Sequence, residues 1–196
     1  ADAAHDGGAR ALVLVSTDKA VAPSSVMGAS KRLAEAYIQA LDIAASRHRG
    51  QEFRCVSLRC GNVLGSTGSV MELFQRQIAR GGPITLTHPD MRRYVISPED
   101  AVRLLLTAAQ LCAAGGLATG AILVPEMGEP IRILDLARHM IAAAGPRREG
   151  QELTIRFTFP RPGEKLREQA RLETEPAQPT ADPGLMAVIP HVPDLP

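Results

Sequence analysis

The stretch Ala11–Glu35, ALVLVSTDKAVAPSSVMGASKRLAE, decides the fold. Ala11–Val15 is a short continuous apolar run, the pattern of a strand buried on both faces in a parallel sheet. Ser16-Thr17-Asp18-Lys19 follows at its carboxyl end. Pro23-Ser24-Ser25 offers a helix start with a serine N-cap. From Val26 to Ser46 apolar residues recur at helical spacing, through Leu33, Ala34, Tyr37, Ile38, Leu41 and Ala45. A strand, a polar turn and a helix in this order make one repeat of an α/β architecture.

The rest of the chain continues the alternation. Strands are expected at Phe53–Leu58, Ile84–Thr87, Gly120–Val124 and Leu153–Thr158. Helices are expected at Val70–Arg80, from Ser97-Pro98-Glu99-Asp100 to about Ala114, and at Ile133–Ala144, the last stopped by Gly145-Pro146. After Arg171 the sequence becomes Pro-rich, and an irregular tail is expected. Strands alternating with helices indicate an α/β fold with a mainly parallel sheet.

Composition narrows the function. The chain has 196 residues, of which 45% are apolar and only 3% aromatic, so the core is aliphatic. Twenty-two Lys and Arg against 21 Asp and Glu leave a formal charge of +1, without the basic excess of a nucleic-acid binder. Cys55, Cys60 and Cys112 form no CxxC pair and read as free thiols rather than a disulfide framework or a metal site. No apolar run reaches the roughly 18–20 residues that span a bilayer, and Ala1–Arg10 is not a signal peptide.

In open parallel sheets, ligands sit outside the carboxyl ends of the strands. Thr17, Asp18 and Lys19 lie at such an end and place a hydroxyl, a carboxylate and an ammonium side by side, a set able to do acid and base chemistry at one carbon skeleton. Met27 and Lys31, four apart, share a face of the following helix. Taken singly, each of these residues would pass as an ordinary polar turn or a solvated lysine.

Together they resemble a known family. Ser16–Glu35 is very similar to the active-site segment of the nucleotide-sugar 4,6-dehydratases of polysaccharide biosynthesis, which are extended short-chain dehydrogenases/reductases. That segment joins Thr-Asp-Lys to a Tyr-x-x-x-Lys helix, and one branch has Met where the Tyr would be, as Met27 does. The resemblance continues through RCGNVLGSTGSV (Arg59–Val70), GGPITLTHPDMRRY (Gly81–Tyr94), MGEPIRILDLA (Met127–Ala137) and RPGEKL (Arg161–Leu166). Cys60 stands where an aromatic is usual, and Arg167-Glu168-Gln169 is less acidic than the family pattern.

The resemblance implies the C-terminal part of an extended Rossmann-like parallel sheet with a small substrate-binding lobe. Its expected divisions are a partial catalytic domain over 1–125, with 61–90 contributing to the substrate site, a substrate lobe over 126–175, and an irregular tail over 176–196. It implies NAD as cofactor and a UDP-N-acetylhexosamine as substrate, converted to a 4-keto-6-deoxy sugar. Lys31, with Ser16, would hold the cofactor. Thr17 would hydrogen-bond the carbon-4 oxygen, Asp18 would protonate the departing carbon-6 hydroxyl, and Lys19 would take the carbon-5 proton. Met27 cannot exchange a proton, so another group, a relay through Thr17 or a water near Lys31, must replace the usual Tyr base. Asn62, the amides around Ser69 and Val70, Arg92 or Arg93, and Arg161 with Glu164 would bind the substrate.

Gly61, Gly65 and Gly68 imitate a dinucleotide-binding loop, but the resemblance assigns them to the substrate. No Gly-rich strand-to-helix turn precedes Ala11, so the phosphate-binding loop is expected outside this chain, which alone should bind NAD poorly. The resemblance further implies a cytoplasmic protein, at the inner-membrane face where the parent carries an anchor, with a homo-oligomer as a candidate state. A nucleotide-sugar epimerase and a non-catalytic nucleotide-sugar-binding remnant remain alternative readings.

Overall fold

The computed structural model describes residues 1–47, 53–145 and 152–190. The chain divides into two compact units. One comprises Ala1–Gly61, Glu99–Glu126 and Gln169–Pro196; the other comprises Asn62–Pro98 and Met127–Glu168.

The first unit is built on a five-stranded sheet. A short helix α1 (Asp2–Asp6) precedes β1 (Ala11–Thr17), a 3-10 turn (Asp18–Ala20), α2 (Val26–Ser46) and β2 (Arg54–Cys60). β1 and β2 run parallel in the register Ala11↔Arg54 to Thr17↔Cys60. α2 begins where its cap dictates, with Ser25 Oγ accepting from the Gly28 amide at 3.1 Å. Ile38, Ala45, Phe53 and Cys55 form a core under it, with Leu12, Leu14 and Leu41 packed alongside.

The second unit begins with β3 (Asn62–Val63), α3 (Val70–Ala79), β4 (Ile84–Leu86), β5 (Arg92–Arg93) and β6 (Val95–Ile96). The chain then forms α4 (Pro98–Ala113) and β7 (Ile122–Pro125), whose Ile122 and Leu123 pair in parallel with Ser57 and Leu58 of β2. The second unit resumes with β8 (Ile131–Arg132), α5 (Ile133–Ala143) and β9 (Ile155–Phe157). Its core is Phe74, Ile84, Leu86, Met91, Ile133, Leu134 and Ala137, with α3 and α5 supplying the apolar faces. Three two-stranded ladders, β3–β6, β4–β9 and β5–β8, hold its loops.

Three expectations are corrected. Residues 176–196 were expected to be irregular, yet β10 (Ala177–Pro179) and β11 (Leu185–Val188) complete the main sheet in the order β1-β2-β7-β11-β10. β11 lies antiparallel on β7, and Val188 packs with Ile122 and Val124. The apolar LMAV run gains enough burial there to override the flanking prolines, although residues 191–196 lie outside the described residues. β1 was expected to be buried on both faces. Among the described residues it stands at the end of the strand order: Leu12, Val13 and Leu14 are half-buried and Val15 is exposed, whereas β2 is buried from Cys55 to Cys60. Leu33 and Tyr37, counted on the apolar face of α2, are also exposed.

The other elements match within a few residues, and Pro146, half of the expected stop after α5, lies outside the described residues. Among the described residues no helix is long and apolar enough to cross a membrane, and no group of His, Cys, Asp and Glu could hold a metal ion.

Candidate active site

The polar turn after β1 brings its expected residues together. Asp18 is fully buried. Its Oδ1 accepts from Thr17 Oγ1 at 2.9 Å and from Lys19 Nζ at 2.8 Å. Thr17 Oγ1 in turn accepts from the Lys19 amide at 3.4 Å. Asp18 Oδ2 is buried and has no hydrogen-bond partner among the described residues. A buried, open carboxylate oxygen costs free energy, and such a cost is tolerated where chemistry needs the group.

α2 returns its first turns to this strand end. Lys31 Nζ donates to the Val15 carbonyl at 3.1 Å, two residues before Thr17. Met27 is half-exposed near the start of the helix. Gly28 is buried, and a Cβ built there would run into the carbonyl oxygen of Lys19, so only glycine lets helix and turn approach so closely. Ser16 behaves differently from its neighbours: its buried hydroxyl donates to Glu35 Oε1 at 2.7 Å.

The remaining expected residues lie in the second unit. Asn62, Ser69, Val70, Arg93, Arg161 and Glu164 line one cleft of about 330 Å³. A neighbouring cleft of about 300 Å³ shares Asn62, Ser69 and Val70 and is walled by the Gly65–Gly68 loop. Glu164 organises the first cleft. Its Oε1 accepts from Thr87 Oγ1 at 3.3 Å and lies 3.7 Å from Arg93 Nη2, while its Oε2 accepts from the Arg161 amide at 3.1 Å.

Arg92 and Arg93 are separated by strand alternation. Arg93 is buried and lines the cleft, while Arg92 reaches the Pro130 carbonyl at 3.4 Å and lines neither cleft. At the α3 terminus, Ser69 Oγ accepts from the Glu72 amide at 3.4 Å and Glu72 Oε2 accepts from the Gly68 amide at 2.7 Å. This reciprocal cap puts a carboxylate at the helix start expected to receive an anion.

Several site residues escaped the sequence reading. Thr85 of β4 and Thr87 just beyond its end line the cleft, and Gln77 Nε2 fixes Thr85 Oγ1 at 2.8 Å. Their two-residue spacing was the available signal. Gly28 carried no comparable signal.

A parallel-sheet repeat with a hydroxyl–carboxylate–ammonium turn at a strand end, followed by a lysine-bearing helix, is the arrangement of the extended short-chain dehydrogenase/reductase class. The structure of Pen from Bacillus thuringiensis aligns with 96% of this chain and 54% of its own at 27% identity, with a TM-score of 0.82. The model of the family described as polysaccharide biosynthesis protein matches residues 1–190, and the chain belongs to that family. It is 45% identical over 169 residues to the capsular polysaccharide biosynthesis protein CapD of Staphylococcus aureus, covering 86% of this chain and 26% of that protein. It is also 45% identical over 97 residues to a UDP-glucose 4-epimerase of Rickettsia canadensis (strain McKiel), covering 50% of this chain and 28% of that one. The chain therefore spans about a quarter of the length of these curated relatives.

Proposed function

We propose that this chain carries the catalytic turn and the sugar-nucleotide cleft of an NAD-dependent nucleotide-sugar 4,6-dehydratase acting on a UDP-N-acetylhexosamine in surface-polysaccharide synthesis. The observation that carries the reading is the Thr17-Asp18-Lys19 cluster joined at one carboxylate oxygen, with the other oxygen open. A simple 4-epimerisation needs no acid and base pair at carbons 5 and 6, whereas dehydration does.

The residues present fit a nicotinamide cofactor in part. Lys31 brings an ammonium to the carboxyl end of β1 and has donors to spare beyond its bond to Val15. Ser16 fits less well, since its buried hydroxyl is committed to Glu35. When bound, NAD would accept hydride from carbon 4 and return it at carbon 6.

The chain's own groups would move the protons. Thr17 Oγ1 points its proton at Asp18 Oδ1, so it can take the carbon-4 hydroxyl proton while passing its own to Asp18. That relay supplies the step Met27 cannot perform. Asp18, now an acid, protonates the carbon-6 hydroxyl, which leaves as water. Lys19 is the group placed to take the carbon-5 proton and return it after hydride addition. Each proton taken from the sugar is thus returned to it or leaves in the water. Arg93 and the Arg161–Glu164 segment would hold the nucleotide diphosphate and ribose, with Asn62 at the sugar or diphosphate.

Thr17→Val in the full-length protein tests the relay. Turnover should fall by about 10²–10⁴-fold, the usual worth of a positioned proton-transfer group. Near-normal turnover would remove Thr17 from the mechanism. The similarity to the Rickettsia epimerase favours a second reading, nucleotide-sugar epimerase. Product mass separates the two: dehydration lowers it by one water, and epimerisation leaves it unchanged.

A further inference from the structure

α2 meets the catalytic turn at three levels of one face. Gly28, Lys31 and Glu35 are spaced three and four apart, so they lie along one side of the helix. Gly28 lies against the Lys19 carbonyl, Lys31 bonds the Val15 carbonyl, and Glu35 bonds the Ser16 hydroxyl. The third level differs from the others because Glu35 is itself clamped.

Arg59 Nε and Nη2 each donate to one Glu35 oxygen at 3.0 Å, and its Nη1 donates to Glu175 at 2.9 and 3.1 Å. Arg59 and Glu35 are fully inaccessible to solvent and Glu175 is buried. Arg32 adds a second cation 3.5 Å from Glu35 Oε2. Burial alone would lower the Arg59 pKa, but the bonds to Glu35 and Glu175 outweigh it and the net direction is up. Arg59 therefore stays charged.

Arg59 also stands opposite Ser16 in the register of β1 on β2. The planar fork of Arg59 holds Glu35 in one orientation, and Glu35 holds Ser16. A buried ion network adds little net stability over apolar packing, so its use here lies in fixing geometry.

We infer that Glu35, clamped by Arg59, is a positioning residue that sets Thr17 and Asp18 through the Ser16 hydroxyl. The inference rests on the proposed role of that turn. Ser16 immediately precedes the relay residues, so a rotation at Ser16 displaces both of them. Glu35 touches no reacting atom.

The test compares Ser16→Ala, Ser16→Thr and Glu35→Gln in the full-length protein. Ser16→Ala cuts only the tie and leaves Arg59 with both carboxylates, so the fold survives. A displacement at the turn should lower kcat by about 10- to 100-fold, with KM for the nucleotide sugar within about twofold and bound nicotinamide cofactor unchanged. Ser16→Thr, which keeps the hydroxyl, should recover most of kcat. Glu35→Gln keeps an acceptor for the Ser16 hydroxyl but loosens the Arg59 clamp, so it should lower kcat by less than Ser16→Ala does, with bound cofactor again unchanged.

A kcat of Ser16→Ala within about twofold of the parent would overturn the inference. So would loss of cofactor from that variant, which would make Ser16 a cofactor ligand, or a folded Glu35→Gln with parental kcat. If Glu35→Gln does not fold, the Ala and Thr variants at Ser16 decide alone. Product mass keeps the two claims apart: a product that has lost no water refutes dehydration, while the kcat of whatever reaction is seen still reports on the tie.

Discussion

Asp18 and Asp42 are both fully buried carboxylates in the same unit, yet they are bonded differently. Asp42 has both oxygens filled. Its Oδ1 accepts from Arg54 Nε and the Cys55 amide, each at 2.9 Å. Its Oδ2 accepts from Arg54 Nη2 at 3.2 Å and from the Gly120 amide at 2.8 Å. It ties α2 to the start of β2 and to the loop before β7. Asp18 has two donors on one oxygen and none on the other. A carboxylate that holds a fold has its lone pairs filled, because each open one costs stability. The open oxygen of Asp18 is what the proposed acid role would need.

Substitution should separate the two roles. Asp18→Asn in the full-length protein should reduce turnover by about 10²–10⁴-fold. It should lower the thermal midpoint less than Asp42→Asn does, since the lost ion pair with Lys19 is offset in part by removal of a buried charge with an open oxygen. Asp42→Asn should do the reverse. Leaving Arg54 without its counter-charge should cost about 3 kcal/mol in denaturant unfolding, while the folded fraction keeps near-parental turnover. A variant of Asp18 that unfolds the protein, or one of Asp42 that stops turnover without loss of stability, would break the contrast.

Gly28→Ala gives a smaller effect that sharpens the same contrast. In an exposed helix the added methyl would stabilise by roughly 0.5–1 kcal/mol. Here it meets the Lys19 carbonyl, and overpacking against backbone costs about 1–3 kcal/mol. The net result should be destabilising, with a loss of turnover larger than the stability change accounts for, because the displaced groups include Lys19. A stabilised and fully active Gly28→Ala would show that helix and turn do not need this closeness.

How legible these features were follows from what periodicity encodes. The limits of α2 were readable because Ser25 caps it and the pattern runs unbroken to Ser46. Its buried face was readable only in part: Ile38 and Ala45 are buried as the period implies, but so are Glu35, Gln39 and Asp42, while Leu33 and Tyr37 are exposed. A hydrophobic period marks two faces of a helix, and the partners decide which is covered. Here the partners are Arg59 and Arg54 on β2 and the Gly120 backbone, which favour acids and amides over apolar groups. The Thr17-Asp18-Lys19 cluster was readable from its place at a strand end. The choice of Arg93 over Arg92 was not, because it depends on which way a two-residue strand faces. β10 and β11 were missed because short Pro-flanked segments acquire strand character only from the sheet they join.

The smallest predicted effect uses three thiols as reporters of the two carboxylates. Burial, and then the Asp18 carboxylate, push the Cys60 thiol up from 9.0 to about 11. Burial, and then Asp42, push Cys55 up to about 12 and Cys112 to about 11. Only a thiolate alkylates readily, so all three should resist alkylation at neutral pH in the folded protein. The sign for stability follows from linkage. Unfolded thiols ionise near 9.0 and folded ones only near 11 or 12, so their contribution is present below pH 9 and is lost as pH rises through the folded values. The two Asn variants should divide the thiols. Asp18→Asn should lower the pH at which Cys60 begins to react and leave Cys55 and Cys112 unchanged, while Asp42→Asn should do the opposite. Alkylation followed by peptide mass analysis across alkaline pH reads each cysteine separately. Equal shifts at all three in both variants would mean that general loosening, rather than the neighbouring charge, governs their ionisation.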